Sequence, residues 1–191
     1  MLPLDDLLVL DFSTLLPGPL ASLFLSEAGA RVIKIERPEI GDDTRAWGPP
    51  YDADGVATYF NAINRNKRSV TLDLATPHGV ERARELVATA DIVVENFRPG
   101  TMERLGLGYD DLREIRPGLI YCSITGFGRD GGAALPGYDL LVQAVGGLMS
   151  VTGTRPGEPT KVGVALVDVL TGLHALSGML AALHHRDRTG E

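Results

Sequence analysis

Five short apolar runs, separated by loops and by stretches of helical period, constrain the fold of this chain more than any other feature. They are Leu7–Phe12, Arg31–Ile35, Ser69–Leu74, Asp91–Glu95 and Leu119–Ile124. Runs of this length read as strands, and a continuously apolar one such as Leu7–Phe12 reads as a strand buried on both faces. Between them, Pro19–Ala28 places Leu20, Leu23, Phe24 and Ala28 on one helical face, with Gly29 as a stop. Pro77–Thr89 reads as a second helix, with Thr76 in the capping position and Pro77 first inside it. Strands alternating with helices imply an α/β fold with a doubly wound, mostly parallel sheet. Ligands of such sheets sit at the carboxyl ends of the strands. The informative loops are therefore those after Phe12, Ile35, Leu74, Glu95 and Ile124.

From Gly137 onward the pattern is helical only. A helix is expected over Tyr138–Ser150, a Gly/Pro-rich connector over Thr152–Pro159, and an apolar helix over Leu166–His185. This divides the chain into a Rossmann-like domain over residues 1–136 and long helices over 137–191. The chain stops just past a helix end, at Arg188-Thr189-Gly190-Glu191, so a longer parent is expected. Between Val162 and Leu183 only Asp168, Thr171, His174 and Ser177 are polar. An aspartate near the centre of a lipid-facing helix costs about 2.5–3.5 kcal/mol, and three glycines interrupt this run, so a helix buried in protein is expected and no membrane span.

The net charge of −7 argues against a nucleic-acid partner, since nothing offsets repulsion from phosphate. Cys122 is the only cysteine, which fits a reducing, cytoplasmic setting, and its apolar run suggests a buried structural thiol. The start, MLPLDDLLVL, has no basic stretch and does not read as a signal peptide. Glu36 stands where a ribose-binding acid would sit, but the loop Ser13–Pro19 lacks the glycine spacing that a dinucleotide pyrophosphate needs. The four histidines are spaced for no shared metal: His184 and His185 point about 100° apart on a helix, and His78 and His174 stand alone. No metal is expected.

Basic residues gather in the loops, with Arg37 and Arg45, then Arg65, Lys67 and Arg68, then Arg98 and Arg104. In an acidic chain this suggests a cradle for a phosphate-bearing ligand, with solubilising surface charge as the alternative. Asn96-Phe97 follows a buried strand, where an amide beside an aromatic can hold a polar or flat group; a core phenylalanine is the alternative. Asp168 is the strongest single signal. It is the one charged side chain in its apolar run, and an unpaired buried carboxylate is costly. Its place near a helix start suggests that the dipole helps to keep it ionised, and Gly172 one turn on suggests a flank left open to a substrate. A structural ion pair is the competing reading.

Several stretches together resemble the family III CoA-transferases, the group of formyl-CoA and L-carnitine CoA-transferases. They are VLDFSTLLPGP, ARVIKIERPEIGDDTRAWGPP, NRNKRSVTLDL, DIVVENFRPGTMERLGLGYDDL, YCSITGFG, GYDLLVQAVGGLMSVTG and VALVDVLTGLHALSGMLAALHHRDRTG. The resemblance runs through essentially all 191 residues, in order. It implies the N-terminal half of a protein about twice as long, assembled as an interlocked homodimer. It implies coenzyme A or acyl-CoA as substrate, with carboxylic acids, and no tightly bound cofactor. Carried over by position, Asp168 matches the aspartate that takes the acyl group. Leu15, Leu16, Arg37, Leu72, Asn96, Phe97, Arg104 and Tyr138 match positions around bound CoA. Formyl-CoA transferases carry a glutamine and two lysines where this chain has Leu16, Ala75 and Pro136, differences that bear on the formyl-CoA/oxalate pair and leave fewer charges for CoA. The implied reaction passes through an aspartyl mixed anhydride and an aspartyl-CoA thioester. Two alternatives stand beside it. One is a 2-methylacyl-CoA racemase of the same superfamily, which uses a histidine base where this chain has Tyr138, a phenol being a poor substitute for an imidazole as a base. The other, if the protein ends at residue 191, is a CoA-binding fragment without turnover.

Overall fold

All five apolar runs become strands, and every pairing between them is parallel. In the computed structural model, which describes residues 1–190, the strands are β1 (Leu8–Asp11), β2 (Arg31–Glu36), β3 (Arg68–Thr71), β4 (Ile92–Glu95) and β5 (Ile120–Ser123). Their order is β3-β2-β1-β4-β5. Val9 lies beside both Val32 and Ile92, and Val94 beside Cys122. The chain steps outward from β1 to β3 and then returns to the other side of β1. The order therefore reverses between β1 and β4, and a crevice opens above their carboxyl ends.

Strand periodicity sorts the side chains into two cores. Leu8, Leu10, Phe12 and Val93 point to one face, where they meet Ala83 and Val87 of α3 (Pro77–Val87), Met102 of α4 (Thr101–Arg104) and Leu112 of α5 (Tyr109–Ile115). Val9, Val32, Ile92 and Val94 point to the other, against Ala21 and Leu25 of α1 (Pro17–Glu27) and Met179 and Leu183 of α7 (Leu166–Thr189). Central positions such as Leu10 and Ile92 are wholly inaccessible, each contributing about 1.5–3 kcal/mol by burial. The central strands β1 and β4 are buried along their whole length, which is why they read as unbroken apolar runs.

The remaining helices are α2 (Thr58–Asn64) and α6 (Asp139–Val145). Boundaries differ from expectation where local chemistry intervenes. Helix α1 starts at Pro17, because prolines at Pro17 and Pro19 are both tolerated in a first turn that needs no amide donor. The helix expected over Tyr138–Ser150 breaks at Gly146–Gly147, where Gly147 takes φ 82°, and resumes as a 3-10 turn over Leu148–Val151. Helix α7 runs past His185 to Thr189, closed by Gly190 at φ 80°.

Helix α7 is long and apolar enough to cross a membrane by length and composition, with mean hydropathy 1.6 over its most apolar window. One side of it packs on α1 and the sheet, while Leu170, Leu173 and Leu180 remain exposed on the other. Cys122 is half-buried, and burial pushes its thiol up to about 11, which makes it a poor nucleophile.

Candidate active site

The two loops that leave β1 and β4 are tied to one another across the crevice. The Asn96 side-chain amide clasps the backbone of Thr14, with Oδ1 accepting from the Thr14 amide at 2.9 Å and Nδ2 donating to its carbonyl at 2.8 Å. Both ends of the amide are thus used within the protein, so Asn96 acts as a clip for the β1 loop. The sequence suggested a side chain holding a ligand's polar group; the fold gives it this clip, and places it at the wall of a cavity as well.

Beneath that loop lies a buried charge network. Asp11, wholly buried, accepts from the Ser13 amide and hydroxyl, from Ser22 Oγ at 2.5 Å and from Lys67 Nζ at 3.0 Å. Burial alone would raise the Asp11 carboxyl, but Lys67, Lys34 and the two hydroxyls outweigh it and hold it at about 2. Lys67 also donates to the Pro19 carbonyl and to Asn64 Oδ1, and burial lowers it to about 8 against the pull of Asp11. Lys34 Nζ donates to the Ser13 carbonyl at 2.8 Å and lies 2.9 Å from Asp42 Oδ2. That Oδ2 has no hydrogen bond of good geometry, so the ion pair is what satisfies it. Leu15, at φ 65°, is held in this unusual backbone region with its amide 3.4 Å from Asp42 Oδ1.

These pairings narrow the expected basic cradle. Lys67 belongs to the buried network, and Arg45 forms a two-pronged pair with Glu36, whose carboxyl also accepts from Ser69 and the Asp42 amide. Arg65 pairs with Glu27, and Arg37 with Asp43 at the surface. Lys67 and Arg45 are thus offset by buried carboxylates and Arg37 and Arg65 by surface ones, while Arg68, Arg98 and Arg104 form no ion pair among the described residues.

Two cavities flank the loop after β4. The first, about 220 Å³, is lined by Thr14, Leu15, Asn96, Phe97, Tyr138 and Asp168 among others. The second, about 600 Å³, sits over the ends of β2 and β3 and is lined by Phe12, Ile35, Arg37, Leu72, Leu74 and Phe97 among others. Thr14 and Phe97 border both. The structure therefore gathers Leu15, Asn96, Phe97, Tyr138 and Asp168 around one space, and Arg37, Leu72 and Phe97 around its neighbour. Leu16, at the start of α1, and Arg104, exposed with Nη2 donating to Thr101 Oγ1, line neither of these cavities.

Asp168 lies in the first turn of α7, half-buried at the first cavity. Among the described residues its carboxyl has no hydrogen bond and no ion pair. Burial, and then the Asp139 carboxylate, push it up to about 6. This direction is opposite to the dipole argument from sequence, burial being the larger reason and a neighbouring carboxylate the second. Asp139 from α6 occupies the α7 N-terminus itself, its Oδ1 accepting from the Val167 amide at 2.9 Å and the Asp168 amide at 3.2 Å. Gln143 Nε2 donates to the other oxygen of Asp139 at 2.6 Å. Neither Asp139 nor Gln143 was anticipated as part of the site. Gly172 also differs from expectation: a Cβ there would lie 2.8 Å from the Pro17 carbonyl oxygen, so its open flank admits α1 and not a ligand.

Among the described residues no three His, Cys, Asp or Glu side chains converge as a metal site. What the arrangement offers is a carboxylate stripped of part of its water, unsatisfied by donors and correspondingly basic. Such a group can attack an electrophilic carbonyl brought into the cavity.

A family model described as CoA-transferase family III matches residues 4–191. The succinate–glutarate CoA-transferase of Agrobacterium fabrum is 50% identical over 99% of this chain and 49% of its own length. The mouse succinyl-CoA:glutarate CoA-transferase is 46% identical over 100% of this chain and 44% of its own. The crystal structure of a CaiB/BaiF family protein from Brucella suis superposes with a TM-score of 0.95 at 49% identity, covering 100% of this chain and 51% of that one. The chain spans about half the length of the relatives it matches.

Proposed function

Since the chain belongs to CoA-transferase family III, we propose that the protein carrying it moves CoA between two carboxylic acids, with Asp168 as the acyl acceptor. The observation that carries this reading is the Asp168 carboxyl itself: half-buried, without a donor among the described residues, held near 6 and placed at the wall of a cavity.

An Asp168 oxygen attacks the thioester carbonyl of the donor acyl-CoA. The carbon–sulfur bond breaks, CoA departs as thiolate, and an acyl–aspartyl mixed anhydride remains. The thiolate then attacks the aspartyl carbonyl, the anhydride carbon–oxygen bond breaks, and the donor leaves as its carboxylate. The aspartyl-CoA thioester that results is opened by the acceptor carboxylate through the same steps in reverse, and Asp168 is returned. Each intermediate neutralises the side chain, which relieves the cost of holding an ionised carboxyl in a partly dry site.

CoA is a substrate in this scheme. The apolar second cavity suits a flat group, Arg37 at its edge can exchange its surface partner Asp43 for a neighbouring phosphate, and the adjoining first cavity suits the reacting end. Two relatives are named for succinate and glutarate, and dicarboxylic acids are the donor and acceptor class we propose. The apolar outer side of α7 supports an assembly in which further chain or a second copy covers it, as in an interlocked homodimer. A cytoplasmic setting is part of this proposal, and the single free cysteine, Cys122, is what supports it.

A racemase needs a second acid/base group beside Asp168, to protonate and deprotonate the two faces of the α-carbon, and an exposed tyrosine at position 138 serves poorly in that role. The test is a panel of acyl-CoA donors against acid acceptors with the intact protein and Asp168→Ala. CoA exchange is expected among dicarboxylic acids, lost in the variant while CoA binding remains. Deuterium exchange at the α-carbon without transfer, or an active Asp168→Ala protein, would overturn it.

A further inference from the structure

The reading of Asp168 as acyl acceptor leaves open what holds that carboxyl in place, and the contacts of α6 answer it. We propose that Asp139 is a positioning residue for Asp168: by capping the first turn of α7 it fixes the reacting carboxyl at the cavity wall and keeps a second negative charge beside it.

The geometry is a relay across three segments. The Asp139 carboxylate, at the start of α6, accepts from the backbone amides of Val167 and Asp168, and from Gln143 Nε2. Gln143 is 1% exposed, so its orientation is fixed by packing and by its own bonds. Its Oε1 accepts from the Val162 amide at 2.9 Å, and its Nε2 also reaches the Val164 carbonyl at 3.4 Å. Asp139 and Gln143 thus grip both the connector that leads into α7 and its first turn. A one-ångström displacement of a reacting group is costly in rate, so a fixed helix start matters more here than its contribution to stability.

The charge of Asp139 has a second consequence. A bare helix N-terminus favours a nearby anion, and would make Asp168 a weaker nucleophile by stabilising its ionised form. Asp139 takes up that positive end and adds repulsion. The ionised nucleophile is raised in energy, whereas the acylated side chain, being neutral, is not. The upward displacement of the Asp168 carboxyl, by burial first and by Asp139 next, has the required sign. The other groups around Asp168 are Tyr59 of α2, Tyr138 at the start of α6 and Arg98 in the loop after β4. The Tyr59 phenol is raised by burial and then by Asp168, Asp42 and Asp139, and Tyr138 and Arg98 line the same cavity.

The test is Asp139→Asn, which keeps an acceptor for the α7 amides and removes the charge. Asp139→Ser serves the same purpose should the first variant fold poorly. Two readouts are taken. In the first, pH-dependent carbodiimide labelling of Asp168 is followed by peptide mass analysis, which needs no turnover. The labelling midpoint is expected near pH 6 in the parent and lower in the variant. In the second, the acid limb of the pH–rate profile for CoA exchange is expected to move the same way. Its plateau should fall roughly threefold for each pH unit of basicity lost, at a Brønsted slope of about 0.5. Unchanged midpoint and plateau, with only a lower melting temperature, would reduce Asp139 to a structural cap and overturn the inference. A parent protein that transfers no CoA, while its labelling midpoint still moves, would instead remove the reading of Asp168 as acyl acceptor.

Discussion

Replacing Asp168 with asparagine is expected to stabilise the chain while removing its nucleophile. The parent carboxyl sits at about 6 in the folded protein against an ordinary 3.8. At about 1.36 kcal/mol per pH unit, that gap corresponds to ~3 kcal/mol of destabilisation by the ionised form. The side chain is only half-buried, so solvent screening reduces the expected gain to ~1 kcal/mol. In a domain of this size that raises Tm by about 2–4 °C. The sign has a pH signature. Because the folded value is raised, the penalty is absent below about pH 4, grows between pH 4 and 6, and is constant above. Calorimetry of parent and Asp168→Asn across pH 4 to 8 should therefore show two proteins of equal stability at the acid end that diverge as pH rises. A variant less stable than the parent at pH 7, or a difference independent of pH, would refute the claim that Asp168 is an uncompensated charge.

Two further substitutions test the surroundings of the site. Gly172→Ala forces a methyl to within 2.8 Å of the Pro17 carbonyl oxygen, which must move α7 against α1. A loss of about 1–3 kcal/mol in chemical denaturation is expected, with slower CoA exchange, and unaltered stability would contradict the packing described. Lys67→Met leaves Asp11 buried with only Lys34 opposite, which is expected to cost about 3 kcal/mol at pH 7. Asp11 is held below its ordinary value, so its contribution is present above about pH 4 and lost as pH falls toward 2. In the variant the acid transition should begin at higher pH, and a superimposable acid unfolding curve would count against the network.

Much of the fold was legible because parallel strands covered on both faces announce themselves as bare apolar runs. Leu7–Phe12 and Asp91–Glu95 are clear instances, and they flank the crevice. Helices α2 and α5 were not anticipated, since seven residues give too few turns for a periodic signal. Asp168 stood out for the reason that makes it useful: a lone charge in an apolar run has no local partner. Asp139 did not, because an aspartate at a helix start reads as serving its own helix, and only the tertiary arrangement shows it serving α7. The partners of two basic residues were hidden for a related reason. Lys67 finds Asp11 and Arg65 finds Glu27 across 56 and 38 residues of chain, distances over which sequence gives no pairing signal. Asn96 was placed at the right edge of the sheet, but its partner, the backbone of Thr14, carries no side-chain signature.

The central claim is that a covalent bond forms at one side chain. Intact protein turning over a succinyl-CoA donor with a dicarboxylic acceptor should be treated with hydroxylamine, digested and weighed peptide by peptide. The account predicts an aspartyl hydroxamate at Asp168 that appears only when donor is present. A peptide spanning Asp168 that stays unmodified while CoA exchange proceeds would contradict it.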